Sequence, residues 1–413
     1  MPALAACGGT PVRSAPYPAW PHFDETEREG VLRVLDSRAW WANQGTEVRA
    51  FEAEWAGYTG AAHANAMTNG THTLEAMLLA CGIGDGDEVI VPDWSFFATI
   101  GAVLSVNAIP VIVDVDPHTG TLDPVLAEAA ITDRTRAILV VHVAGSMADM
   151  DALTALAARH DLRLLEDCAH AHGSTWRGVH AGVVGDAGSF SFQASKLMTA
   201  GEGGAVITRH ADIAELLTSY VNCGRRAGTW YYRHVRLGDN YRMTEWQGAV
   251  LRAQLARFPE QQQRRSANAS LLNAELARIP GVHPQGRHDG CDSQGNYCYV
   301  VMIDPQVLGA SRDQVRTALL AEGIPLTTSY PPMHSLELFA EPDGLAPRLR
   351  NRGRYPDYAT AHCPVTDRLA ATSLWFTTAV LMGSPADAMN VVEAMAKLQA
   401  HPDELRCVTA VEW

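Results

Sequence analysis

Lys196 is the only lysine or arginine between Arg177 and Arg209. It sits in AGSFSFQASKLMTAGEGGAV, residues 187–206, between a run of alternating small and aromatic residues at 188–192 and an apolar run at 205–208. Both runs read as short strands, and Gly201-Glu202-Gly203-Gly204 between them is backbone able to bend closely around a ligand. Burial lowers the pKa of a lone amine in such a place and makes it a nucleophile or Schiff-base former. A snorkelling lysine on a surface hairpin is the other reading of the same pattern. Three further stretches carry chemistry-bearing side chains. Leu164 to Gly173, LLEDCAHAHG, passes from an apolar strand into two carboxylates and two histidines. Asp167 falls at the strand end, the edge at which α/β sheets hold ligands. It suits a metal site with His170 and His172, a carboxylate keeping a ring nitrogen protonated, or an aspartate bonding loop amides. Thr68-Asn69-Gly70-Thr71-His72-Thr73 lies at a strand-to-helix junction, where Gly70 and the free amides of a new helix make either a phosphate cradle or an ordinary cap. In Asp93-Trp94-Ser95-Phe96-Phe97-Ala98-Thr99, Phe96 is placed to stack on a planar cofactor or to join the core. Gly82 to Asp87, GIGDGD, follows a helix and precedes a strand, so it is a turn and not a dinucleotide loop. An isolated amine, a strand-end carboxylate, a phosphate cradle and an aromatic together suit pyridoxal 5′-phosphate (PLP). Metal-assisted hydrolysis would use the carboxylate–histidine cluster but leave Lys196 without a task.

The elements that must position these groups follow from hydrophobic period. Strands are expected at 63–68, 88–92, 110–114, 137–143 and 162–167, alternating with helices at 71–81, 96–107 and 150–160. Runs such as Val89-Ile90-Val91 lack polar alternation and suit strands buried on both faces, so an α/β sheet of mostly parallel strands with helices on both sides is predicted. After Met243 the texture changes. A helical stretch at 244–279, broken or kinked near Phe258-Pro259, leads to strands at 297–303 and 324–328 and helices at 312–322 and 385–400. Residues 329–370, rich in Pro, Tyr and His, read as a loop lining a site. The chain is 413 residues long, enough for two domains: an N-terminal arm with a large α/β domain over 1–257, and a smaller α+β domain over 258–413. A net charge of −14 with no basic run argues against nucleic acid or an anionic membrane as partner. The eight cysteines are dispersed, with no C-x-x-C pair, and neither a signal peptide nor a membrane-length apolar run is visible, so a reduced, cytoplasmic protein is expected.

The chain resembles the DegT/StrS family of PLP-dependent sugar aminotransferases over nearly its whole length. The family's FSFxxxKxxTxGEGG is met by Phe190-Ser191-Phe192, Lys196, Thr199 and Gly201-Glu202-Gly203-Gly204, and its ED-x-A-x-x-x-G by Glu166, Asp167, Ala169 and Gly173. Its S-G-T turn stands here as Asn69-Gly70-Thr71, its VPxxTFxAT as VPDWSFFAT and its N-H-G as Asn222-Cys223-Gly224. GxNYRMTExQ is matched at Gly238, Asn240, Tyr241, Arg242, Met243, Thr244, Glu245 and Gln247, while the usual His-Tyr before the Pro-rich turn is Ser329-Tyr330. The resemblance implies the type I PLP-dependent transferase fold of aspartate aminotransferase and a homodimer with shared sites. It implies that Lys196 bonds the cofactor, that Asp167 partners the pyridine nitrogen, and that His170 lies near the ring's 3-hydroxyl. Gly70, Thr71 and Ser191 would hold the phosphate, Phe96 would stack on the ring, and Asn222 would reach the partner subunit's phosphate. Phe192-Gln193, the Asp167–Gly173 segment, the N-terminal GGxPVR and Leu374-Trp375 resemble the branch of ketocyclitol aminotransferases and 3-amino-5-hydroxybenzoate synthases. That branch implies transfer of an amino group from L-glutamine or L-glutamate to a keto-cyclitol or keto-sugar in antibiotic biosynthesis. Dehydration with aromatisation, or amination of a nucleotide sugar, are the alternatives. Arg225, Arg226 and Arg242 are all open as the partner of the donor carboxylate.

Overall fold

The computed structural model describes residues 3–226, 228–340 and 355–411. Seven strands form the main sheet: β1 (His63–Met67), β2 (Glu88–Pro92), β3 (Ile109–Val113), β4 (Thr135–Val141), β5 (Arg163–Asp167), β6 (Ala187–Ser191) and β7 (Gly204–Thr208), in the order β1-β7-β6-β5-β4-β2-β3. Only β7 runs against the other six. The apolar runs are buried on both faces, as their lack of alternation predicts: Ile90, Ile138, Val140 and Ile207 enter one core, and Val89, Val91, Leu139 and Val206 enter another on the opposite face. The first core is closed by Phe51 and Trp55 of the helix Glu47–Thr59, the second by Leu74 and Met77 of the helix Gly70–Ala80 and Ile100 and Val103 of the helix Ala98–Ser105. The carboxyl ends of β1, β2, β5 and β6 therefore lie along one edge of the sheet, the edge that carries the motif residues.

A second, antiparallel sheet takes the order β8-β9-β11-β10, from β8 (Val282–Pro284), β9 (Cys298–Ile303), β10 (Leu326–Thr327) and β11 (Ser373–Thr377). The helices Arg312–Ala321 and Pro385–Ala400 pack with it around Tyr299, Val301, Leu319, Phe376 and Val391. β11 has no counterpart in the sequence reading. The expected loop at 329–370 instead carries short helical turns at Met333–Ser335, Glu337–Ala340 and Tyr358–Thr360 and the helix Pro364–Thr372, while its residues 341–354 lie outside the described residues.

Two further features differ from expectation. The helix Glu245–Leu276 is 32 residues long and continues through Pro259, so of the break or kink expected there the break does not occur. Pro259 forfeits a backbone bond, a cost of ~3 kcal/mol. Burial of Phe258, directly before it, in the large core offsets part of that cost. The helix also serves both halves, with Leu251 and Phe258 in the large core and Leu272 and Leu276 in the small one, so residue 257 lies inside a single element. The N-terminal arm, grouped by sequence with the large domain, packs on the other half. Leu4 is buried in the small core, and buried Glu322 accepts from the amides of Ala5 and Val12, both at 2.9 Å, and from Lys397 Nζ at 2.8 Å. An irregular arm shows no periodicity from which such backbone capture could be read. Among the described residues no helix is long and apolar enough to cross a membrane.

Candidate active site

Along the carboxyl edge the register brings Met67, Gly204 and Ser191 side by side. The chain leaving β1 crosses the start of β7 to enter the helix Gly70–Ala80, capped by Asn69, whose Oδ1 accepts from the His72 amide at 2.9 Å. Two glycines make the crossing possible. A Cβ at Gly204 would lie 2.7 Å from the Asn69 carbonyl carbon, and one at Gly70 would lie 2.6 Å from Ser191 Cβ. Thr73 Oγ1 and Ser189 Oγ, 2.6 Å apart, tie the helix to β6. The amides of Gly70 and Thr71 have no carbonyl to bond within the helix, and with Ser191 they line a cavity of about 500 Å³.

Asp167, at the end of β5, is buried on the floor of the same cavity. Its Oδ1 accepts from the Ala169 amide at 3.1 Å and its Oδ2 from Thr99 Oγ1 at 2.9 Å, and Ser95 Oγ pairs with Thr99 Oγ1 at 2.7 Å. Burial pushes its carboxyl pKa up, against the lowering effect of those two donors and of the Lys196 charge. Lys196 is half-buried because its stem opens on the cavity, but its amine is enclosed by protein. That enclosure lowers its pKa to about 8, with Asp167 and Cys298 opposing the shift. Lys196 Nζ stands 4.4 Å from the centroid of the Tyr297 ring.

His170 lines the cavity above Asp167. Its Nδ1 accepts from the Ala144 amide at 3.2 Å, which leaves the proton on Nε2, 3.0 Å from the Tyr330 hydroxyl. Burial, and secondarily the Lys196 charge, hold its pKa well below the usual histidine value, so it is neutral. Phe96 is exposed at the mouth, its ring 5.9 Å from that of Tyr330. Gly70, Thr71, Phe96, Asp167, His170, Ser191 and Lys196 are thus gathered around one cavity. Asn222 lies outside it, with its Oδ1 accepting from Arg225 Nη1 and Arg242 Nη1, both at 2.9 Å.

The structure does not bring His172 together with Asp167 and His170, as the metal alternative requires. His172 turns away from the cavity to pack among Trp55, Phe190 and Phe192, and burial lowers its pKa to about 3. Glu166 faces the opposite side of β5 from Asp167 and is occupied by His142 Nε2 at 2.9 Å and the amides of Gly182 and Gly185 at 2.8 and 2.6 Å. Tyr330 lines the cavity, within the 329–370 stretch read as lining a site, whereas Thr99 and Tyr297 were missed as part of it. Thr99 lies within the VPDWSFFAT segment, where its spacing of one helical turn from Ser95 is the available signal. Tyr297 reads only as a strand residue. The Thr244, Glu245 and Gln247 motif is structural: Glu245 accepts from the Glu47 amide at 2.6 Å, and Gln247 Nε2 donates to the Glu202 carbonyl at 2.8 Å.

An enclosed amine facing a buried carboxylate, beside a helix-terminal cradle that only glycine at position 70 leaves open, fits PLP, and the doubly covered sheet is that of the aspartate aminotransferase type. The chain belongs to the DegT/DnrJ/EryC1/StrS aminotransferase family, whose model matches residues 21–396. It is a PLP-dependent aminotransferase. The L-glutamine:2-deoxy-scyllo-inosose aminotransferase of Streptoalloteichus tenebrarius is 40% identical over 98% of this chain and 99% of its own length. The 3-amino-5-hydroxybenzoate synthase of Amycolatopsis mediterranei is also 40% identical, over 93% of this chain and 99% of its own. A crystal structure of 3-amino-5-hydroxybenzoic acid synthase superposes with a TM-score of 0.86 at 38% identity, covering 94% of this chain and all of that one.

Proposed function

We propose that the enzyme moves an amino group from L-glutamine or L-glutamate to a small uncharged cyclic ketone, a keto-cyclitol, in the making of an aminocyclitol antibiotic. The observation that carries the reading is the Lys196 amine, half-neutral near pH 8, enclosed opposite Asp167 with the Gly70–Ser191 cradle beside them. The bound cofactor supplies an electron sink for charge at the carbon that carries the amine. Gly70 and Thr71 amides and the Ser191 hydroxyl hold its phosphate. Asp167 holds the proton on its ring nitrogen, and Thr99 and the Ala169 amide keep that carboxylate in place. With the cofactor bound, Lys196 Nζ would take the proton from the substrate carbon and return it. His170, neutral, donates from Nε2 and orients Tyr330, while Phe96 covers the mouth.

Lys196 is the only lysine or arginine among the described residues that line the cavity. The L-glutamine:2-deoxy-scyllo-inosose aminotransferase, 40% identical over 98% of this chain, supports an uncharged ring as the acceptor. The exposed side chains of Trp230 (72%) and Leu237 (95%), next to the Asn222–Arg225–Arg242 cluster, support a homodimer in which that cluster serves the partner's site. Eight free cysteines fit a reducing cytoplasm. The test is a panel of ketone acceptors offered with L-glutamine and read by product mass. Amination replaces the ketone oxygen by NH2 and H on an inosose-type ring; loss of water with aromatisation instead identifies the hydroxybenzoate-type reaction, and turnover confined to nucleotide sugars overturns the proposal.

A further inference from the structure

We infer that Tyr297 is a positioning residue for Lys196 and His170, tying the lysine loop to the small sheet through its hydroxyl and both side chains through its ring. Tyr297 immediately precedes β9, in the half of the molecule that does not carry the cofactor loops. Gln193 Oε1 can only accept, and Ser195 Oγ donates to it at 2.7 Å, so the Tyr297 hydroxyl, 2.9 Å from Ser195 Oγ, must donate. The chain of bonds runs from Tyr297 through Ser195 to Gln193, whose carbonyl accepts from the Lys196 amide at 2.8 Å. Burial raises the phenol pKa, so the donor keeps its proton.

The ring meets two more groups. It stacks on His170 with centroids 4.0 Å apart and planes 20° from parallel, and it carries Lys196 Nζ at 4.4 Å. Backbone strain supports both neighbours: Asn296, directly before Tyr297, has φ +56°, and Ala144, whose amide holds His170, has φ +54°. Non-glycine residues reach this region at a cost and persist there when their surroundings require it. The contacts therefore join Lys196, His170 and Tyr330 into one unit, with Tyr297 the member that touches the first two and ties them to the second sheet.

The inference rests on Lys196 being the lysine that bonds PLP, and its test separates the two. The polar and titratable groups facing Lys196 and Tyr297 are Asp167, His170, His172, Ser195, Cys298 and Tyr330; they stay in place in both variants. The visible absorption of the holoenzyme is titrated with pH, and kcat and KM are measured for wild type, Tyr297→Phe and Tyr297→Leu. Removing an aromatic face from a cation lowers the midpoint of the visible band by up to ~1 pH unit in Tyr297→Leu, and misplacement of the amine lowers kcat by ~30-fold with KM little changed. Tyr297→Phe keeps the ring, so its midpoint stays at the wild-type value, while loss of the tether to Ser195 lowers kcat by ~5-fold. A folded Tyr297→Leu enzyme with wild-type midpoint and kcat overturns the inference. Should that variant not hold cofactor, a Tyr297→Phe enzyme with wild-type kcat does so. A wild-type holoenzyme without a visible band defeats the Lys196 reading itself.

Discussion

The cavity and the segment from Asn222 to Tyr241 are equally dense in motif residues, and they are built in opposite ways. In the cavity, Asp167, Thr99, His170 and Tyr330 find their hydrogen-bond partners within the chain, on strand ends and loops held by two buried cores. In the Asn222–Tyr241 segment the polar groups are also paired, Asn222 with Arg225 and Arg242, and Arg225 Nε with the Tyr231 carbonyl at 2.9 Å. Its large side chains, however, face outward: Trp230, Tyr232 and Leu237 are among the most exposed apolar residues of the described chain. The first region closes its hydrogen bonds within one copy. The second is ordered by its own contacts and lacks only a surface to cover it, the arrangement expected where a protein meets another copy.

The largest effect that tests this contrast falls on the first region. Lys196→Ala is expected to fold, to show no lysine-bonded visible band and to lose at least ~10⁴-fold in turnover, since nucleophile and proton carrier vanish together. Absorbance and product formation check both parts. In the wild-type apoenzyme, cofactor capture needs the neutral amine. Because burial lowers its pKa to about 8, capture should quicken roughly tenfold per unit as pH rises toward 8 and level off above it. A rate still climbing at the ordinary lysine pKa would show that the amine is not enclosed.

The two regions also differ in how far the sequence foretells them. The lone Lys196, the strand-end Asp167 and the Gly70 turn are legible because each needs a particular residue type: an amine with no neighbouring cation, a carboxylate after an apolar run, a glycine where a side chain would strike Ser191. The alternating strands and helices are legible for the same local reason, a period. What escapes is set by distant partners. Nothing near residue 297 says that its ring will lie on His170, nothing in Pro259 says that packing will carry the helix through it, and nothing in the N-terminal arm says that Glu322 will hold its amides. Asn222 is found by resemblance alone. Its exclusion from the cavity of its own chain is a fact of tertiary structure.

The next prediction acts on the uncovered region. Leu237→Glu places a charge on the most exposed large apolar side chain among the described residues and leaves the Lys196–Asp167 pair untouched. If a second copy covers this face, light scattering should report a dimer for wild type and a shift toward monomer for the variant, with ~10-fold less activity at low protein concentration and partial recovery at high concentration. A dimer unaffected by the substitution, or full activity from the monomer, would place the shared surface elsewhere and leave the exposed aromatics without this explanation.

The smallest effect returns to the floor of the cavity. Thr99→Val preserves shape and removes the hydroxyl that donates to Asp167 Oδ2 and pairs with Ser95. The Ala169 amide still donates to Oδ1, so the carboxylate is loosened, not freed. The lost bond is to a charged acceptor and amounts to about 1.5–3 kcal/mol, of which only the part that differs between ground and transition states appears in kcat. A drop of ~3- to 10-fold in kcat with an unchanged acceptor KM is therefore expected. Removing a donor also raises the Asp167 pKa further in the direction burial already pushes it, so the acid limb of the kcat–pH profile should move to higher pH. An acid limb that moves the other way would mean that Thr99 donates elsewhere during turnover, and that the floor of the cavity is less complete than its hydrogen bonds imply.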